Sequence, residues 1–374
     1  MLNISKVIIS FMLFFSLGST STVLIRAQDH GVSSGETKQS NVDITITGEA
    51  DEQLLDQLTN NLKAESEEEI DPDESIRGSA QYIDMDQFKK RYLNIPYTDT
   101  QNDRQQLDIV YPPIGNPPYK VIVALHGGGW SNGDRKSASI KTIQMAAQQG
   151  YVVINAGYRL TDEAKWPAQL HDVKAAIRFI RANAKEYRLD TRNIVVWGNS
   201  AGGHLASMLG ATNGMVEMED LSMGNSKASS EVQGVVSWYG ISDISTLPDT
   251  SINIANKLLG FNVREKAEEA GVASPNQYVT KEYPPIFMIH GTNDRIVPFK
   301  QAVEFAKKIN QVTGKKQASI KLHINATHGD NAIKNVTNVD ETLNFIDKIM
   351  YTERKNPYRT KKYNEIKTTS EKSS

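Results

Sequence analysis

The sequence predicts an α/β protein, with a mostly parallel central sheet, helices on both faces and a small cap insertion. Three observations carry this. Strand-like and helix-like runs alternate from about Tyr82 to Tyr351, the pattern of a parallel sheet covered on both sides. An apolar run from Asn193 to Trp197 passes through Gly198-Asn199-Ser200-Ala201-Gly202 straight into a helix-compatible run that starts at His204. A second apolar strand ends at Leu125 and leads directly into His126-Gly127-Gly128-Gly129-Trp130.

Each element follows from its residues. Residues 106–111 alternate like an early strand, and 120–125 read as a fully buried one. A helix is predicted over 137–149, closed by Gly150, and then a strand over 151–155. Val173, Ala176, Ile177 and Ile180 make one apolar stripe, which predicts a long amphipathic helix over 168–187. Further strands are predicted at 232–238, 285–290 and 319–324, with helices at 300–309 and 339–349. Residues 242–282 have weak periodicity, with a helical piece at 252–259, and are polar and charged over much of their length. Lying between two strands, they read as a cap-like insertion over a pocket. No internal repeat is visible.

With 374 residues the chain can bury one large core or two smaller ones. A net charge of −2 gives no reason to expect nucleic acid as a partner. Cysteine is absent, which excludes disulfides, thiolate metal sites, cysteine catalysis and a cysteine-anchored lipoprotein. Residues 1–27 read as a signal peptide, or as an N-terminal anchor if Val23-Leu24-Ile25 extends the apolar run. Cleavage would fall within 18–21 or after Ala27. Export without cysteine points to a secreted or cell-surface-associated bacterial protein. Residues 28–79 form an acidic, largely disordered leader with an amphipathic helix at 51–62; it would serve as a spacer or as a pro-segment over the site. Residues 80–351 are the expected catalytic domain, and 352–374 a basic flexible tail. The N-terminus or the tail would contact a cell wall or a membrane surface.

Ser200 is the candidate nucleophile. It must sit in a strained positive-φ turn to lift its Oγ clear of the sheet, and Gly198 and Gly202 flank it because a Cβ at either would collide. The alternative, a glycine-rich turn with an idle serine, does not account for the strand before it and the helix after it. A serine needs a base, and the base an orienting carboxylate. On such a sheet these follow in the order acid, then histidine, at the carboxyl ends of later strands. Asp294 lies just past strand 285–290, and His328, followed by Gly329, lies in the loop past strand 319–324. His290 and His323 fall within or at the end of strands and read as structural; His204 and His171 lie on helices, and His30 in the leader. Asp330 and Asp340 follow His328 or lie beyond it, which leaves Asp243 as the rival acid. Three consecutive glycines, 127–129, let backbone N–H groups turn inward, so the N–H groups of Gly128, Gly129 and Ala201 are the expected oxyanion hole. Trp130 would wall the site, and Arg159 and Asp172 would either pair beneath this loop or stand as two solvated surface charges.

These motifs carry a resemblance. His126–Trp130, Gly198–Gly202, Gly291–Asp294 and Thr327-His328-Gly329 resemble the α/β-hydrolase superfamily, in its HGGG serine esterase branch. Tyr158-Arg159-Leu160 with Trp166-Pro167-Ala168 is similar to the hormone-sensitive-lipase-like esterases. The strand Leu107 to Pro112, Ala273-Ser274-Pro275 and Pro284-Pro285 resemble acetyl-xylan and feruloyl esterase-like members. The resemblance covers about Tyr92 to Ile349; Asn199, where many relatives carry Asp or His, departs from it.

The expected reading is a secreted serine esterase acting on a small-molecule or glycan ester, short acyl groups such as acetyl above all, without metal or cofactor. A peptidase of the prolyl-oligopeptidase type, a formamidase or lactonase, and a non-catalytic binding module are the alternatives. The oligomeric state, the acyl group and the alcohol stay open.

Overall fold

Neighbouring side chains along the central strands feed two different apolar layers. Val121, Val123 and Leu125 belong to one, and Ile122 and Ala124 to the other; Ile194 and Val196 are split in the same way from Val195 and Trp197. A sheet apolar on both faces must be covered on both, which is why its strands read as continuous hydrophobic runs. The computed structural model describes residues 81–351 and 355–359, with the strand segments Thr22–Ala27, Val42–Thr47 and Lys367–Thr368.

In chain order the strands are β1 (Thr22–Ala27), β2 (Val42–Thr47), β3 (Gln81–Tyr82), β4 (Arg91–Pro96), β5 (Gln106–Val110) and β6 (Tyr119–Leu125). They continue with β7 (Val152–Ala156), β8 (Leu189–Asn199), β9 (Gly234–Trp238), β10 (Ile286–Gly291), β11 (Ala318–His323) and β12 (Lys367–Thr368). The main sheet has the order β1-β2-β11-β10-β9-β8-β6-β7-β5-β4. Pairs from β7 through β6, β8, β9 and β10 to β11 are parallel. The pairs β4–β5, β5–β7, β11–β2 and β1–β2 are antiparallel. Helices Ala168–Ala182, Ala201–Ala211, Lys300–Thr313 and Val336–Met350 cover the sheet.

Most differences from the sequence reading are at element ends. Residues 137–149 form a short helix, Ala138–Lys141, followed by 3-10 turns, Ile143–Gln149, closed by left-handed Gly150. The helix predicted over 168–187 stops at Ala182. β4, β1 and β2 lie where no strand was expected; β1, at the edge of the sheet, falls within the signal segment, and β2 falls inside the leader, where Val42, Ile44 and Ile46 alternate with polar residues. The helix expected at 51–62, and residues 1–21 of the signal segment, lie outside the described residues.

Two expectations need correction. The start of the C-terminal tail is docked: Asn356 is buried and its amide donates to the carbonyl of Gln149 and to Asp347. Arg359 pairs with Asp340 and Asp347. A basic run is not free when it meets carboxylates on a neighbouring helix. The insertion 242–282 also has a buried apolar side. Leu247, Ile252, Ala255, Leu258, Val263, Ala270 and Ala273 are buried in the main core, so the segment is a packed part of the domain.

Candidate active site

The carboxyl ends of β6, β8, β10 and β11 meet at one crevice, where open α/β sheets bind ligands. β8 ends at Asn199, and helix Ala201–Ala211 starts two residues later, leaving Ser200 alone at the turn. Ser200 holds φ 55° and ψ −119°, which a residue with a Cβ keeps only where its surroundings over-determine it. A Cβ on Gly198 would lie 2.0 Å from the carbonyl oxygen of Gly202, and one on Gly202 would lie 2.2 Å from that of Leu125. Both positions must therefore be glycine. The Ser200 N–H donates to the Trp238 carbonyl at 2.9 Å, which anchors the turn to β9.

Ser200, His328 and Asp294, far apart in sequence, form one hydrogen-bonded row. His328 Nε2 lies 2.9 Å from Ser200 Oγ, and His328 Nδ1 lies 2.7 Å from Asp294 Oδ2. The carboxylate fixes the tautomer: Nδ1 carries the proton, so Nε2 presents its lone pair to the serine hydroxyl. The Asp294 carboxylate is fully buried. Burial by itself raises its pKa, but hydrogen bonds from His290 and His328 outweigh that and hold the carboxyl below the ordinary aspartate range. Its Oδ1 accepts the N–H groups of Ile296 and Val297 at 2.9 and 2.8 Å.

The glycine loop lies directly over the elbow. A Cβ on Gly127 would lie 3.3 Å from Ser200 Cβ. Gly128, Gly129 and Trp130 all have positive φ, 115°, 58° and 56°, which turns the peptide N–H groups away from the path a strand would give them. Among the described residues, the N–H groups of Gly128, Gly129 and Ala201 make no hydrogen bond to another protein group. The loop is braced from both sides. Tyr158 Oη donates to the His126 carbonyl at 2.8 Å, and the Thr161 N–H donates to the Trp130 carbonyl at 2.9 Å. Arg159, between them, is locked to the buried carboxylate of Asp172, the paired one of the two arrangements expected from sequence.

A cavity of about 340 Å³ opens onto the row. Trp130 lines it, as expected, together with Tyr239, and the insertion contributes Leu247, Ser251 and Ile254. The face that the insertion turns to the cavity is thus largely apolar, against the expectation of a polar cover. Lys334 lies at the His328 side.

The other candidates are engaged elsewhere. Asp243 accepts from Ser245 and Asn276, and touches no histidine. Asp330 accepts from Thr327 and Ala332 and shapes the loop that carries His328. Asp340 pairs with Arg359. His323 bonds Asn338. His204 Nε2 donates to the Ala273 carbonyl at 2.6 Å, tying the elbow helix to the insertion. His171 is half-buried on its helix, and His30 lies outside the described residues. No group of three or more His, Asp or Glu side chains able to hold a metal occurs among the described residues.

Three contacts were missed. His290, read as structural, places Nε2 3.1 Å from Asp294 Oδ2. Its spacing of four residues from Asp294 was the available signal. Ser139 accepts the Gly127 N–H on its hydroxyl and the Asn199 amide on its carbonyl, bridging the glycine loop to the elbow. The Tyr239 ring packs edge-on against His328 at 5.0 Å. Nothing in the local sequence announces the last two.

The sheet, the elbow serine and the glycine loop place the chain in the α/β-hydrolase superfamily, in its HGGG esterase branch. The BD-FAE family model matches residues 107–309, more than half of the chain, and the chain belongs to this family. It is 30% identical over 198 residues to the probable carboxylic ester hydrolase LipM of Mycobacterium tuberculosis, covering 52% of this chain and 45% of LipM. The chain spans about half the length of the curated relatives it matches. Among solved structures it is similar to a truncated carbohydrate esterase from gut microbiota, with TM-score 0.65 and 29% identity over 69% of this chain and 95% of that one. It is also similar to propionate-bound esterase 2 of Thermogutta terrifontis, with TM-score 0.57 and 25% identity over 70% and 95% of the two chains.

Proposed function

We propose that the protein is a serine carboxylic ester hydrolase, with Ser200 as nucleophile, His328 as general base and acid, and Asp294 as the orienting carboxylate. The observation that carries this is the Ser200–His328–Asp294 row, with distances of 2.9 and 2.7 Å. Ser200 Oγ attacks the ester carbonyl carbon as its proton passes to His328 Nε2. The oxyanion is held by the N–H groups of Gly128, Gly129 and Ala201, which are preorganised and need no rearrangement. Collapse breaks the carbon–oxygen bond to the alcohol, and His328 returns the proton to that leaving oxygen. Water, deprotonated by His328, then attacks the acyl-serine, and Ser200 regains its proton as the carboxylic acid departs.

The substrate class is a short acyl ester, about two to four carbons long, on carbohydrate. A volume of about 340 Å³ is at the small end for ligand pockets, which run from about 300 to 1,000 Å³. It has to hold both the acyl group and part of the alcohol. The carbohydrate esterase likeness supports the same class of alcohol. Export to the cell surface fits residues 1–27, and contact with a wall or membrane would run through the N-terminal segment or the tail. No helix among the described residues is long and apolar enough to cross a membrane.

Labelling with a fluorophosphonate and mapping the adduct to Ser200 tests the chemistry; no adduct overturns it. A series of p-nitrophenyl esters, with acetate release from acetylated xylan and ferulate release from methyl ferulate, tests the substrate. Activity that climbs through octanoate would point to a lipase-like role, and cleavage of aminoacyl-proline amides to a peptidase.

A further inference from the structure

Asp294 Oδ2 is shared by two imidazoles. His328 Nδ1 reaches it at 2.7 Å and His290 Nε2 at 3.1 Å. His290 is buried at 1% exposure and is the penultimate residue of β10. Its Nε2 also lies 2.8 Å from the carbonyl oxygen of Val297. Both neighbours of this nitrogen accept hydrogen bonds and neither can donate, so Nε2 carries a proton and splits it between them. Asp294 then receives four donors: two imidazole N–H groups on Oδ2, and the N–H groups of Ile296 and Val297 on Oδ1. All the lone-pair sites of the carboxylate are in use.

The consequence follows from geometry. A carboxylate held by backbone on Oδ1 alone can still pivot, which would swing Oδ2 away from His328. A second donor on Oδ2, besides His328, restrains that pivot. It also ties Asp294 to the Val297 carbonyl, in the same loop that lines the cavity. We propose that His290 is a positioning residue, which holds Asp294 Oδ2 on line with His328 Nδ1 and so governs turnover. The inference rests on the esterase reading of Ser200, His328 and Asp294, and it adds a fourth side chain to that relay.

The test compares three variants with the wild-type enzyme. In glutamine, the amide Nε2 is the same number of bonds from Cβ as the imidazole Nε2; in asparagine it is one bond short, and leucine has no donor. His290→Leu and His290→Asn are expected to lower kcat about 10- to 100-fold, the loss of one hydrogen bond to a charged group. KM should stay within about twofold of wild type, because His290 itself is not among the residues that line the cavity. His290→Gln should restore most of the turnover. If the leucine variant does not fold, the contrast between asparagine and glutamine decides the question. Wild-type kcat in a folded leucine or asparagine variant overturns the proposal. So does a rise in KM at constant kcat, or a glutamine variant no better than asparagine. Fluorophosphonate labelling of wild-type Ser200 is run alongside: no labelling there means that the esterase reading itself has failed. Labelling with unchanged variants removes only the role of His290.

Discussion

Arg159 Nη2 lies 2.7 Å from Asp172 Oδ1, and Arg159 Nε bridges both oxygens of the same carboxylate, at 3.0 and 2.9 Å. Asp172 is fully buried, and the Arg159 backbone N–H and the Gln105 amide donate to it as well. Their segment supports the glycine loop through Tyr158 and Thr161. Arg159→Ala should therefore cost about 3 kcal/mol, since it leaves a buried carboxylate without its charge partner while two donors remain. Urea unfolding of the variant checks this; an unchanged midpoint would mean that the pair adds nothing to stability.

Ser200→Ala should abolish ester hydrolysis with the fold intact, with a loss of kcat on the order of 10⁶. Retention of more than a few per cent of activity in purified variant would remove Ser200 from the mechanism.

Asp294→Asn should lower kcat roughly 10⁴-fold, because the amide can donate to His328 and so stabilise the wrong tautomer. Asp243→Asn should leave kcat unchanged, as the Asp243 carboxylate accepts from Ser245 and Asn276, away from His328. The opposite ranking of the two would reassign the acid.

Stability should fall as the pH drops from about 6.5 to about 4. Burial pushes His126 and His204 down to about 4, against an ordinary value of 6.5. Between those values both are neutral in the folded protein and protonated when it unfolds. Unfolding then takes up protons, and stability rises with pH by about 1.4 kcal/mol per pH unit for each. Asp294 has a depressed folded pKa, so its contribution is present above about pH 4 and is lost only as the pH falls further, through the lower folded value. His204→Gln, which keeps the donor to Ala273, should make the dependence shallower. A melting-temperature series from pH 7 to pH 4 on both proteins reads this directly, and parallel curves would contradict it.

Ile254 sets the expected limit on acyl length. It lines the cavity from the insertion, and its Cγ2 would stand 2.7 Å from a Cβ placed on Gly129. Ile254→Ala removes three carbons from that wall and should raise kcat/KM for octanoyl esters about tenfold relative to acetyl esters. An unchanged chain-length profile would show that the acyl group lies elsewhere in the cavity.

What the sequence determined by itself is local chemistry and order along the chain. The strand–glycine–serine–glycine–helix turn at Ser200, the three glycines before Trp130, and the placement of Asp294 and His328 just past strand ends are all properties of short segments. Each is constrained by a backbone that only certain residues permit, so composition and spacing expose it. The Arg159–Asp172 pair was legible only as one of two readings, because the two lie 13 residues apart across one strand-to-helix connection and only the burial of Asp172 sets them apart from solvated surface charges. Tertiary structure decided what depends on distant surfaces meeting. Ser139 bridges the glycine loop and Asn199 from 60 residues away. Asn356 reaches Gln149 across 207 residues. The insertion looked polar because its outer positions outnumber the buried ones, and only packing against the core revealed its apolar side. His290 read as an ordinary strand histidine because a strand gives the face of a side chain, not its partner. The turn of the chain after β10 brings Asp294 to its Nε2, and the four-residue spacing that hinted at the contact does not by itself fix that return.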